Sequence, residues 1–155
     1  MSNAFSGGCQ CGAVRFRVGR LGRPSICHCR MCQKAFGAFY GPLVTGHEVV
    51  WTRGRLKHFQ SSNVARRGFC GDCGTPLTYE YDGGIELAIG SSFDDPTVAA
   101  PVIQVNEASR LPFVDDLASL PKRLPGTEPK WEAFQRRVIS YQHPDEDTSE
   151  WPARR

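Results

Sequence analysis

Seven cysteines, and the short spacers between them, are the part of this 155-residue chain best suited to chemistry. They fall in three clusters: Cys9-Gln10-Cys11 within a Gly7-Gly8 and Gly12 frame, Cys27-His28-Cys29-Arg30-Met31-Cys32, and Cys70-Gly71-Asp72-Cys73-Gly74. Residues i and i+2 of an extended segment point to one side, so Cys9 and Cys11 can offer two thiolates to one ion. A Cys-x-x-Cys turn does the same at a tight corner, and Gly74 suits the left-handed backbone that follows the second ligand. Cys9, Cys11, Cys70 and Cys73 would then close a tetrahedral four-thiolate zinc site of the structural kind. Cys27, Cys29 and Cys32 remain, and a zinc held by three protein ligands keeps an open fourth position, as catalytic sites do. This partition explains an odd cysteine count that disulfide pairing within the chain cannot. A zinc ribbon of Cys29, Cys32, Cys70 and Cys73 is the rival partition. Its 37-residue gap between Cys32 and Cys70 exceeds the usual span of roughly 15–20.

The histidines add little to this pattern. His28, between two cysteines of an extended chain, should point away from the thiolates and either support them from behind or face solvent. His47, His58 and His143 are scattered. Phe39 and Tyr40 read as core, and Thr75, after the last zinc turn, as a partner for backbone or for substrate.

The elements that must carry these clusters are short. Sixteen glycines and eleven prolines favour strands and turns over long helices. Ala13 to Val18 alternates apolar and basic residues, the period of a strand with one buried face. Ala38 to Thr45, Glu48 to Thr52, Leu56 to Gln60 and Val64 to Phe69 read as further strands. Leu77 to Tyr81 and Ile85 to Ile89 flank Asp82-Gly83-Gly84, a hairpin signal. Pro101 to Val105 is one more strand. Glu128 to Tyr141 reads as a helix, with Trp131, Phe134, Val138 and Tyr141 at helical spacing after a Pro-Gly break. The expectation is a mainly β fold with one or two peripheral helices, one domain over 1–141 and a fraying polar tail over 142–155. No apolar run approaches the roughly 18–20 residues of a membrane span. Met1 to Gly12 holds no apolar stretch, so the expected compartment is the reducing cytoplasm. Ser2-Asn3-Ala4 carries no functional weight.

The motifs resemble those of a known family. Gly7-Gly8-Cys9-x-Cys11-Gly12-x-Val14-Arg15-Phe16, then Cys27-His28-Cys29-x-x-Cys32-x-Lys34-x-x-Gly37-Ala38, then Phe69-Cys70-x-x-Cys73-Gly74-Thr75-Pro76-Leu77 resemble the glutathione-dependent formaldehyde-activating enzymes, also called the Gfa or CENP-V family. The resemblance spans Gly7 to about Leu77 and is looser to about Pro125. It implies a β-tent (Mss4-like) zinc-binding fold. A structural zinc would sit on Cys9, Cys11, Cys70 and Cys73, and a catalytic zinc on Cys27, Cys29 and Cys32. It also implies carbon–sulfur lyase chemistry, the formation or cleavage of S-(hydroxymethyl)glutathione from glutathione and formaldehyde. Where family members often carry His and Trp, this chain has Asn106 and Phe113, so its substrate is expected to differ if those positions shape the pocket.

A zinc on three thiolates carries a formal −1, which disfavours bound hydroxide and makes a soft small-molecule thiolate the natural fourth ligand. The addition also needs a proton carrier. Lys34 is the nearest ionisable candidate, and Arg30 could steady the thiolates or the carboxylates of an anionic tripeptide. Both could equally be solvated cations.

Charge supplies the competing reading. Residues 1–80 carry a net +8 and residues 81–155 a net −5, an asymmetry that can mark a nucleic-acid surface. A zinc-stabilised binding module for nucleic acid or protein therefore stands beside the enzyme. The basic residues form no run with interleaved aromatics, and two zinc–thiolate sites would themselves absorb positive charge. Nucleic acid and membrane are thus not the expected partners; a small thiol is.

Overall fold

The structure, a computed structural model, describes residues 5–90 and 92–151; Ser2-Asn3-Ala4 lies outside them. Nine strands build one mainly β sheet: β1 (Phe5–Gly8), β2 (Arg15–Leu21), β3 (Ser25–Cys27), β4 (Gly41–Arg53), β5 (Leu56–Gln60), β6 (Ala65–Cys70), β7 (Pro76–Tyr81), β8 (Gly84–Ala88) and β9 (Ile103–Val105). Their order is β1-β2-β4-β8-β7-β6-β5, with β3 paired to β4 and to β9 off that path. All pairings are antiparallel except β3–β9, which is parallel. Among the described residues there are two α-helices, α1 (Arg30–Phe36) and α2 (Pro129–Gln135). Among the described residues no helix is long and apolar enough to cross a membrane.

Phe16 and Val18 point from β2 into the core, as the alternation requires, and are fully buried. Phe16 meets Trp51 and Phe93 edge-on at 5.7 and 5.6 Å. Arg15 is buried as well, on the opposite face, because Asp94 and Asp147 neutralise it at 2.6 and 2.9 Å. The two strands expected over Ala38–Thr45 and Glu48–Thr52 are one long β4, which starts at Gly41 and passes Glu48 in a left-handed conformation (φ 58°). The 82–84 hairpin is as expected, with Gly83 at φ 100°.

Helix α1 follows the extended Cys27–Cys29 stretch, in a segment to which the sequence reading assigns no element: Cys29 caps it by accepting from the Cys32 amide at 3.4 Å, and left-handed Gly37 ends it. Two expectations are corrected. Helix α2 stops at Gln135, six residues short, and Trp131, Phe134, Val138 and Tyr141 stay exposed. Over residues 142–151 the tail is docked instead of frayed. The His143 amide donates to Gln10 O at 2.7 Å, Trp151 Nε1 to Cys11 O at 2.8 Å, and Asp147 holds Arg17 as well as Arg15. Gly12 makes room for this. It adopts φ +78°, and a Cβ there would lie 2.1 Å from His143 Cδ2.

Candidate metal centres

The turn between β1 and β2 carries Cys9 and Cys11, closed by hydrogen bonds from Cys9 N to Val14 O (2.9 Å) and from Gly12 N to Cys9 O (3.0 Å). The end of β6 carries Cys70, and the turn after it Cys73, with Gly74 at φ +77°. The four thiols meet, every sulfur within 4.8 Å of the others. Two pairs, Cys9–Cys11 and Cys11–Cys70, stand 3.6 and 3.9 Å apart. Ligands about 2.3 Å from a tetrahedral zinc are roughly 3.8 Å apart, so this donor set fits the ion. Donors aim at the sulfurs: Val14 N at Cys9 (3.2 Å), Asp72 N at Cys70 (3.4 Å), and the Thr75 hydroxyl against Cys73 (3.1 Å). Thr75 Oγ1 also accepts from Gln10 N at 3.1 Å, so it serves the cysteine turn. Burial resists ionisation of Cys73, but the Thr75 side chain and the amides of Thr75 and Cys11 outweigh it and bring its pKa down to about 6. Cys9, Cys11 and Cys70 are pushed up, chiefly by burial.

The second group is assembled from two elements. Cys27 ends β3, Cys29 caps α1, and Cys32 lies in its first turn. Their sulfurs are mutually within 4.8 Å. The rival ribbon of Cys29, Cys32, Cys70 and Cys73 is not brought together. β9 runs parallel to β3, with Val105 opposite Cys27, and this delivers the next residue, Asn106. Its Nδ2 donates to Cys27 Sγ at 3.2 Å. Asn106 holds a left-handed backbone (φ 58°, ψ 42°), which asparagine tolerates better than most residues.

The cavity beside these thiols measures ≈ 440 Å³ and is lined in part by Arg23, Leu43, Ile103 and Val105. Its floor is a row of side chains across four strands. Arg67 on β6 faces Tyr79 on β7, Tyr79 faces Glu86 on β8, and Glu86 faces Thr45 on β4. Arg67 Nη2 donates to Cys32 Sγ at 3.2 Å, its Nε to Ser61 Oγ at 3.0 Å, and its guanidinium lies 4.8 Å from the Tyr79 ring centroid. It is only 4% exposed. The contact between Cys27 and Cys32, with help from the Cys29 amide and Asn106, brings the Cys27 pKa down to about 5 against burial. The same contact and burial push Cys32 up, against Arg67. Burial raises the Glu86 carboxyl, as does the negative charge of Cys27, against the pull of Arg67.

Residues predicted around this group are placed unevenly. Arg30 and Lys34 are exposed on α1, and Arg30 bonds Gln33; neither lines the cavity. His28 does point away from the thiols and is fully buried, its Nε2 2.8 Å from Gln104 Oε1. Phe39 is not core: it is 46% exposed against Phe113, which stands outside the cavity lining. Arg67 and Glu86 were missed. A lone arginine among nineteen basic residues carries no local signal; only strand register reveals it.

The family profile described as "Glutathione-dependent formaldehyde-activating enzyme" matches residues 4–108. The chain belongs to the glutathione-dependent formaldehyde-activating enzyme family. The matched stretch contains both cysteine groups, either of which could hold a metal ion. A family relative, named an uncharacterized lyase of Schizosaccharomyces pombe, is 32% identical over 88 residues, covering 52% of this chain and 60% of the relative. The chain thus spans under two thirds of that protein. A crystal structure of a Rhodobacter sphaeroides protein aligns over 64% of this chain and 99% of its own, at 22% identity and a TM-score of 0.48.

Basic residues of the first half find acids or carbonyls of the second. Arg15 and Arg17 pair with Asp94 and Asp147, and Arg53 donates to Thr148 O. These contacts take up part of the charge asymmetry within the fold. Internal compensation of the thiols, expected of many cations, rests on Arg67 among the described residues.

Proposed function

We propose that the chain is a zinc-dependent carbon–sulfur lyase of its family's type, acting on the adduct of a small thiol, glutathione or a relative, with formaldehyde or another small aldehyde. The observation that carries this reading is the unequal pair of thiol groups. One is a set of four thiols, the number a tetrahedral ion needs; the other is three thiols facing a cavity of ligand size. Cys9, Cys11, Cys70 and Cys73 would hold a structural zinc, and Cys27, Cys29 and Cys32 a catalytic one. Bound there, the second ion would supply a soft Lewis-acid position at which a thiol loses its proton near neutral pH.

The chain's own residues then divide the work. Asn106 and Arg67 orient Cys27 and Cys32 by donating to their sulfurs. Ile103, Val105 and Leu43 give the cavity an apolar wall that limits water. Glu86 is the proton carrier in place of Lys34: it lines the cavity and makes no hydrogen bond among the described residues. In the forward direction the carbon–sulfur bond forms as the carbonyl π pair moves to oxygen. Glu86 passes the thiol's proton to that oxygen, giving the S-hydroxyalkyl product. In reverse, Glu86 takes the hydroxyl proton as the bond breaks. NMR exchange spectroscopy of ¹³C-formaldehyde with glutathione tests this. Catalysed exchange that disappears on selective removal of one metal supports the reading; no acceleration with glutathione or a panel of small thiols overturns it.

A further inference from the structure

Arg67 is the one charged side chain that touches a sulfur of either group among the described residues. It is held from several sides: by Cys32, by Ser61, and by the rings of Tyr79 (4.8 Å) and Phe36 (5.8 Å). No carboxylate pairs with it among the described residues. A guanidinium this buried is costly unless anions compensate it, and the nearest are the thiolates. Three thiolates and a divalent ion sum to −1, and Arg67 brings the group to zero. The complete group differs. There the fourth thiolate is tethered by the chain, and among the described residues the sulfurs are served by amide and hydroxyl donors. At the three-cysteine group the fourth ligand must come from solution, past Glu86, whose charge repels an anion.

We propose that Arg67 is the positioning residue that gives the three-cysteine group its preference for an anionic, thiolate-type fourth ligand over a neutral one. This inference rests on reading that group as a metal centre with an exchangeable position. Cation–π contact fixes the guanidinium beside the sulfur. Its charge offsets the repulsion that an arriving thiolate meets, while a neutral ligand gains little from it.

The full-length protein loaded with Co²⁺ at both groups reads this directly. Visible absorption is followed while 2-mercaptoethanol, which binds as a thiolate, or imidazole, which binds neutral, is titrated in at fixed pH. Arg67→Gln is expected to keep both ions and to bind 2-mercaptoethanol about 10- to 100-fold more weakly, the usual cost of altering a residue that supports metal ligands. Imidazole affinity should hold, and Arg67→Lys should restore most of the thiol preference. Ser61→Ala loosens the guanidinium without removing it, and keeps the test open if the glutamine variant does not fold; its expected loss is about threefold, for the thiol alone. Equal weakening of both ligands, or unchanged thiol binding in Arg67→Gln or Ser61→Ala, overturns the inference. A two-metal wild-type protein whose spectrum ignores 2-mercaptoethanol overturns the underlying reading instead, before any substitution is made.

Discussion

The two thiol groups use one ligand type and are built on opposite logic. The four-cysteine group joins the β1–β2 turn to the end of β6, stations about sixty residues apart, as in the 59-residue separation of Cys11 and Cys70. Its sulfurs are served by backbone amides and one hydroxyl, donors that come with the turn geometry itself. The tail then straps over it through His143 and Trp151. The three-cysteine group lies within six residues, so it closes no long loop. Its donors are side chains from distant strands, Arg67 and Asn106, and it faces a cavity. A group that ties distant chain together contributes to folding. One that spans six residues and recruits its support from elsewhere is suited to binding and exchange.

Substitutions should separate the two. Cys73→Ser removes a member of the tie and is expected to cost more than about 4 kcal/mol, with loss of solubility or of the thermal transition. Cys29→Ser should stay folded with one metal fewer, by melting and metal analysis. Collapse of both variants to the same degree would erase the comparison. Glu86→Gln sharpens the other half. Both metals should remain and thiol binding should hold or tighten, while exchange slows by about 100-fold or more, the scale of a lost proton carrier.

Smaller effects belong to the strap. Gly12→Ala places a methyl where His143 sits and demands a left-handed alanine. A loss of about 1–3 kcal/mol and faster proteolysis of residues 142–151 are expected, with thiol binding unchanged. Asp147 gives the strap an acid limit. Burial opposes its charge, but Arg17 and Arg15 outweigh that and hold its carboxyl below the ordinary 3.8. A group so depressed stabilises fully above its unfolded value and loses that contribution as pH falls through its folded value. The strap should therefore stay docked at pH 5 and release only below the ordinary carboxylate range, as tryptophan fluorescence of Trp151 can follow.

Much of this was legible locally. Cysteine spacing separated a set of four from a set of three, and short-range turn chemistry located the 82–84 hairpin and the left-handed Gly74. What escaped depends on contacts far apart in the chain. The seven residues of α1 show no apolar periodicity and begin on the Cys29 cap. Arg67 reaches the cavity through its register with Tyr79. The tail is polar, so it docks by a histidine in a glycine-made niche and by ion pairs, neither of which leaves a hydrophobic pattern. The helix read over 128–141 failed in the opposite sense: its apolar spacing is helical, but the residues that carry it stay exposed.

The central claim is one complete and one incomplete metal group per chain. Native mass spectrometry during mild chelation, with glutathione present, tests it most directly. The account predicts two zinc ions per chain, with glutathione bound only to the two-zinc form. One ion should leave early with the glutathione, and the other should persist until the protein unfolds. A single zinc, or two that leave together with no bound thiol, would contradict it.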